Sequence, residues 1–257
     1  MTAPGRIIRA CFEARLVDKI GRDMALPDAQ ADLSAAPDRI MLMLVAARSG
    51  STYAGQLLSR TGHFVRIADS LNPEQLAAVR AEHGLADDGE ALRWMIGQRG
   101  TRTAFGAKCG EPGLISAWYL GFLDAVLDRA TLLHIERRDT VAQAVSLFRA
   151  RLSGRYHSPG KAKRIVTAED YNRAAIATDI QIIEQVNANL ADFVKRTKRP
   201  CLHFYYEDIC AAPRAFVDTV CARLDLPVPR EFDGKVRVKI LRDELNAEWV
   251  QRFRSGD

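Results

Sequence analysis

The residues with the clearest chemical purpose are Arg48, Ser49, Gly50, Ser51 and Thr52. They stand between an apolar run, residues 40–45, and a segment of helical composition, residues 52–61, closed by Gly62. A turn of small residues at a helix start presents unpaired backbone N–H groups. With the helix dipole, these suit an anion such as a phosphate or a sulfate. Arg48 adds a fork of donors just before the turn. The pattern is close to a Walker A loop, but Ser51 stands where that loop has its lysine and Val45 where it has its first glycine. Lacking the lysine, and with no evident acid to hold Mg²⁺, the site fits ATP chemistry poorly.

A second group lies downstream. Residues 131–136 read as another strand, followed by Arg137-Arg138-Asp139-Thr140 and a helical run over 141–152. Asp139 is placed to cap that helix, and Ser146 falls on the same helical face as Asp139 and Gln143. The turn at Arg48–Thr52 resembles the 5′-phosphosulfate loop of sulfotransferases that use PAPS (3′-phosphoadenosine 5′-phosphosulfate). Arg138 and Ser146 have the spacing with which that family holds the 3′-phosphate. The segment from Arg137 through Gln143, Ala144, Val145 and Ser146 is similar to the bacterial trehalose sulfotransferase-like family in particular. So are Tyr171-Asn172-Arg173-Ala174, Tyr206-Glu207-Asp208-Ile209 and Leu224-Asp225-Leu226-Pro227. The resemblance runs in order from Ile40 to Trp249.

The resemblance implies transfer of a sulfonate from PAPS, without a metal, to a hydroxyl of a carbohydrate or glycolipid. Arg48 and the turn Ser49–Thr52 would bind the donor and stabilise the departing phosphate, and Arg138 and Ser146 would hold its far end. It also implies a carboxylate base soon after the first helix, in a pattern Gly-x-Pro-x-Glu-x-Phe. Asp69 falls on the Glu position, although the flanking Gly, Pro and aromatic residue are absent; His63 and Glu74 are reserves. Lys108, in Phe105-Gly106-Ala107-Lys108, matches the family's Phe-Gly-x-Lys segment and is expected to face the site. A P-loop phosphotransferase and a noncatalytic nucleotide-binding protein remain the alternatives.

These groups need a scaffold that brings strand ends together. Runs at 40–45, 103–108, 131–136 and 201–206 alternate with helical patterns at 73–83, 90–98, 113–129, 141–152, 169–198 and 213–224. That alternation predicts a P-loop-type three-layer α/β fold with a central parallel sheet flanked by helices. Ligands of such sheets gather at the carboxyl ends of the strands, where Arg48, Lys108 and Arg138 all fall. The division expected is a helical extension over residues 1–38 and a single sulfotransferase-like domain over 39–257. Ile7, Ile8, Cys11, Phe12, Leu16 and Ile20 give the extension one apolar helical face, for docking on the domain, on a partner subunit or on a membrane surface. Residues 27–37 and 154–163 read as loops.

The 257 residues suffice for one large α/β domain. A net charge of +5 suits an anionic ligand. No recognised nucleic-acid module is present, and no apolar run approaches membrane-spanning length. Five scattered cysteines without a CxxC pair argue for a reduced, cytoplasmic protein rather than a disulfide or zinc framework. Homodimerisation is expected from the family alone. Trp94, Trp118 and Trp249 read as packing residues, His134 and His203 as satisfied groups within strands, and residues 206–208 as a brace at a strand end.

Overall fold

A computed structural model describes residues 2–28, 36–64, 67–98, 102–156, 163–234, 236 and 244–256. Parts of the loops expected at 27–37 and 154–163, namely 29–35 and 157–162, lie outside the described residues, as do 65 and 66 ahead of Asp69.

Four parallel strands form the centre: β1 (Arg39–Val45), β2 (Ala104–Cys109), β3 (Thr131–Glu136) and β4 (Cys201–Tyr205). Their order is β2-β1-β3-β4. The apolar run of β1 is continuous because both its faces are covered. Ile40, Leu42 and Leu44 enter one core cluster, and Met41, Met43 and Val45 the opposite one. This is the period of two that a strand imposes. The register pairs Leu44 with Cys109 and with His134, so the carboxyl ends of β1, β2 and β3 open on the same side.

Twelve described helices surround the sheet. Ahead of β1 stand α1 (Ala3–Cys11) and α2 (Ala14–Asp23); α3 (Ser51–Ser59) follows β1; α4 (Pro73–His83) and α5 (Asp88–Gly97) precede β2. Next come α6 (Glu111–Tyr119), α7 (Phe122–Val126), α8 (Thr140–Ser153) and the long α9 (Arg173–Thr197). The chain closes with α10 (Tyr206–Ala211), α11 (Pro213–Arg223) and α12 (Glu244–Ser255). One sheet face carries α3, α10 and α11, and the other carries α1, α2, α6, α7 and α9. A third cluster, built from α8, α9 and α12 around the fully buried Trp249, reaches Ala46 just beyond β1.

Several elements differ from expectation. The helix expected over 113–129 is two helices, because Gly121 takes φ +72° between them and turns the chain. The single N-terminal helix is also two, separated where Phe12 and Glu13 leave helical geometry. The segment 1–38 does contribute an apolar face: Ile8, Cys11, Phe12, Val17, Ile20 and Met24 are buried in the same cluster as β1 and α9. The Tyr119 hydroxyl donates to Val17 O at 3.2 Å, which ties α2 to α6. None of the described helices is long and apolar enough to cross a membrane. All five cysteines are free thiols.

Candidate active site

The turn after β1 is shaped by two left-handed residues. Arg48 has φ +63° and Gly50 has φ +88°. The first is uncommon for a residue with a side chain and marks a backbone held by its surroundings. The second is compulsory: a Cβ on Gly50 would lie 2.0 Å from Cδ2 of Tyr206. The turn therefore hands the chain to α3 with Tyr206 packed directly beneath. The first bonds within α3 run from the N–H groups of Tyr53 and Ala54 to Gly50 O, so the N–H groups of Ser51 and Thr52 precede the helical ladder. Ser49 is fully buried, and its Oγ has no hydrogen-bond partner among the described residues.

Arg48 reaches across the carboxyl end of the sheet. Its Nε donates to Ser146 Oγ at 2.9 Å, and its Nη1 donates to Tyr156 O. Ser146 stands on α8, whose first turn is capped by Asp139 accepting from the Ala142 N–H at 2.9 Å. Gln143, fully buried on that same helical face, donates to Ala47 O at 2.7 Å and locks α8 to the turn. Burial pushes the Arg48 guanidinium below its ordinary pKa, and the neighbouring cation Arg137 adds to the shift. Two guanidinium groups near the open N–H groups of a helix start are chemistry suited to an anion.

The two arginines of the second motif part company. Arg137 lines the cleft, 10% exposed, with its guanidinium 5.7 Å from the centre of the Tyr206 ring and Nε 3.8 Å from Glu207 Oε1. Arg138 is not among the cleft-lining residues. It forms two 2.7 Å bonds to Asp208 and lies 4.1 Å over the Tyr205 ring, while its backbone N–H donates to Glu207 Oε2 at 3.1 Å. The structure therefore brings Ser146 and Arg48 together and sets Arg138 aside on the rim. The bracing expected of residues 206–208 takes this form.

The opposite wall carries the other two predicted residues. Lys108, at the end of β2, is only 6% exposed in its side chain, and its Nζ lies 2.7 Å from Asp69 Oδ2. Asp69 is 45% exposed and lines the cleft with it. The segment reaches that place because Ala68 bridges to Ala107 in parallel fashion and its carbonyl accepts the Lys108 N–H at 2.8 Å. Of the reserve bases, Glu74 lines the cleft, whereas His63 is bound to Pro227 O at 2.6 Å and does not.

Arg137, Tyr206 and Glu111 also line the cleft, and sequence reasoning did not single them out for it. Glu111 opens α6 inside the cleft and accepts from Asn189 Nδ2 at 2.6 Å; burial raises its carboxyl pKa above the ordinary value. The Gly110-Glu111-Pro112 helix start was the available signal, since Pro and an acid are favoured in a first helical turn. The cleft encloses about 1890 Å³. A single drug-sized ligand fills about 300–1,000 Å³, so the volume admits two substrates side by side.

A parallel sheet with a glycine-containing turn and a helix start after β1, and with two arginines and a Lys108–Asp69 ion pair lining one cleft beside it, is a P-loop-like α/β architecture. Comparison with solved structures places the fold among sulfotransferases. The sulfotransferase domain from the curacin biosynthetic pathway matches over 81% of each chain, with a TM-score of 0.50 and 14% identity. The sulfotransferase domain of the Synechococcus PCC 7002 olefin synthase covers 89% of this chain and 90% of its own, with a TM-score of 0.47 and 16% identity. No curated protein sequence matches. The family model for the Stf0 sulphotransferases matches residues 108–256, more than half of the protein. The chain belongs to the Stf0 sulphotransferase family and is a PAPS-dependent sulfotransferase. Lys108, Arg138 and Ser146 fall within the matched segment, whereas Arg48 to Thr52 and Asp69 precede it. The residues present suit the donor: the unpartnered buried Ser49 Oγ, the leading N–H groups of α3 and the desolvated Arg48 are donors without a protein anion to satisfy them all.

Proposed function

We propose that this cleft sulfonates a hydroxyl of a carbohydrate or glycolipid, with Asp69 as the base and the Arg48 turn as the seat of the phosphosulfate. The carrying observation is the placement of Asp69–Lys108 and Arg48–Arg137 on opposing walls of one cleft. The N–H groups of Ser51 and Thr52 and the side chains of Arg48 and Arg137 hold the donor's anionic groups. As the acceptor oxygen forms its bond to sulfur, the bond from sulfur to the phosphate oxygen breaks. The charge left on that phosphate falls to the same donors, positioned before the reaction begins. Asp69 takes the acceptor's proton, and Lys108 orients the carboxylate and limits its motion. Ser146 stands beside Arg48, where it serves the nucleotide's 3′-phosphate, and Arg137 rather than Arg138 supplies the cation at the cleft wall.

The carbohydrate class rests on the family resemblance, and the cleft has room for such an acceptor beside the donor. A homodimer and a cytoplasmic location belong to the same reading; the five free thiols accord with the latter.

Calorimetric titration with 3′-phosphoadenosine 5′-phosphate, beside ADP and ATP with Mg²⁺, tests the assignment. The 3′-phosphorylated nucleotide should bind at least about tenfold tighter than ADP, a difference of about 1.4 kcal/mol. Arg137→Ala and Arg48→Ala should abolish that preference, and Arg138→Ala should weaken it less. A preference for ATP with Mg²⁺ would move the chain to the phosphotransferase reading. An Arg138→Ala effect larger than that of Arg137→Ala would return the phosphate to the outer arginine.

A further inference from the structure

On the sheet face away from α3, three side chains meet outside the cleft. The parallel register of β3 and β4 places His134 directly opposite His203, and their rings lie 5.5 Å apart at an interplanar angle of 62°. Glu136 is two residues beyond His134, so its side chain emerges on the same face of the strand. Glu136 Oε1 lies 2.8 Å from His203 Nε2 and 3.7 Å from His134 Nδ1. One ligand atom from each of the three residues lies within 4.8 Å of the others.

The readings of His134 and His203 as satisfied strand groups do not hold for both. His134 is 4% exposed, and its Nε2 has no hydrogen-bond partner among the described residues. His203 is 42% exposed in its side chain. The nitrogen of His134 that faces Glu136 is Nδ1, at 3.7 Å and so beyond hydrogen-bond reach of it, a spacing that an ion between the two groups would close. The donor set is two imidazoles and one carboxylate, the chemistry of zinc-class divalent cations. Tetrahedral zinc with bonds of about 2.0–2.1 Å separates its ligand atoms by about 3.3 Å. The two measured separations bracket that value.

We propose that His134, Glu136 and His203 bind one zinc-class divalent cation, with water completing the coordination on the open side. Glu136 and His203 face solvent enough to admit an ion and keep an aquo ligand, while His134 anchors the site from below. The ion would clip the edge strand β4 to β3. Strand β4 leads straight into Tyr206 and Glu207 at the cleft, so the clip would fix the segment whose Tyr206 ring packs against Gly50. The role is structural, and the sulfonate transfer described above does not depend on it.

The test is calorimetric titration of the full chain with ZnCl₂ after treatment with a chelator, with thermal denaturation read in parallel. The wild-type chain should take up one zinc and melt at a higher temperature with it. His203→Ala and Glu136→Gln should each lower the affinity at least about 10-fold, the floor seen when only an outer-shell partner is lost. Without zinc His203→Ala should melt with the wild-type chain, because that side chain is 42% exposed. Cys210→Ser, which removes an exposed thiol able to capture zinc by itself, should bind as wild type does. The proposal is overturned if the wild-type chain takes up no stoichiometric zinc. It is equally overturned if His203→Ala binds as tightly as wild type, or if the binding disappears in Cys210→Ser.

Discussion

Asp69→Asn should destabilise the protein more than Lys108→Met, although each removes the same ion pair. The reason is the unequal burial of the partners, 6% exposed for Lys108 and 45% for Asp69. With Asn at 69, a nearly buried ammonium loses its carboxylate. In fully buried pairs that loss costs about 3–5 kcal/mol. Here water reaches the outer half of the pair and the Asn carbonyl still accepts a hydrogen bond, which lowers the expected cost to about 1–3 kcal/mol. Met at 108 keeps the packed stem and leaves behind a carboxylate that water already solvates, for a cost of under about 1 kcal/mol. At about 2–4 °C per kcal/mol for a chain of this size, Asp69→Asn should melt several degrees below Lys108→Met. The double variant should melt near Lys108→Met, because the stranded ammonium is gone, so the coupling equals the Asp69→Asn cost of about 1–3 kcal/mol. Thermal and urea denaturation of the four proteins give the cycle, and sulfonate transfer by the same samples should show Asp69→Asn down about 10²–10⁴-fold. A neutral Asp69→Asn beside a destabilising Lys108→Met would mean that packing around the lysine stem, not the ion pair, holds this wall.

Three further outcomes follow from the geometry. Gly50→Ala forces a side chain into the left-handed region, costing about 1–2 kcal/mol before its clash with Tyr206 is counted; loss of nucleotide binding with a lowered melting temperature is expected, and a variant that binds as wild type would show that the turn can be rebuilt. Burial and Asp192 push the Cys11 thiol up to about 12, and burial pushes Cys221 up to about 11. Native-state alkylation at mildly alkaline pH should therefore label Cys210, the exposed thiol, well before either, and equal rates would show that the core opens readily. Asp179 is fully buried beside Arg151, and burial holds its pKa above the ordinary 3.8 despite the arginine. The folded state then keeps that proton more tightly than the unfolded one, so this group's contribution falls as pH rises from the unfolded value through the raised folded one. The stability of Asp179→Asn relative to wild type should accordingly improve across that interval in denaturation series. A relative loss instead would show that pairing with Arg151 outweighs desolvation.

The sheet was legible because β1 is a short, unbroken apolar run, a pattern that two-sided burial explains, and because β3 sets Leu132, Leu133 and Ile135 between two helical patterns. The turn after β1 was legible because its residues are small and adjacent. Which of the two arginines lines the cleft was not. Arg137 and Arg138 are neighbours at a helix entry, and the choice of which turns inward is made by Glu207 and Asp208, contributed by α10 some 70 residues later. Nothing in the spacing to Ser146 carries that information. Helix α12 escaped for a related reason: its sequence is polar and Arg-rich, and it is held by Trp249 packing on Phe148 and Tyr171 rather than by a broad apolar face. The split at Gly121 was readable in principle, since the glycine was in view, but a continuous apolar face on either side masked it.

The common direction of the four strands has a practical consequence. All the chemistry lies at one rim, and the opposite rim, where the strands begin, is stitched by exposed pairs such as Arg39–Asp225, Arg129–Asp38 and Arg199–Asp128. Surface pairs of this kind are each worth about 0–1 kcal/mol, so that end has little to lose. It is a natural handle: a dye, a surface tether or a fused module attached near Asp128 or Asp225 would leave the cleft facing outward, open to large acceptors and to whatever supplies the donor.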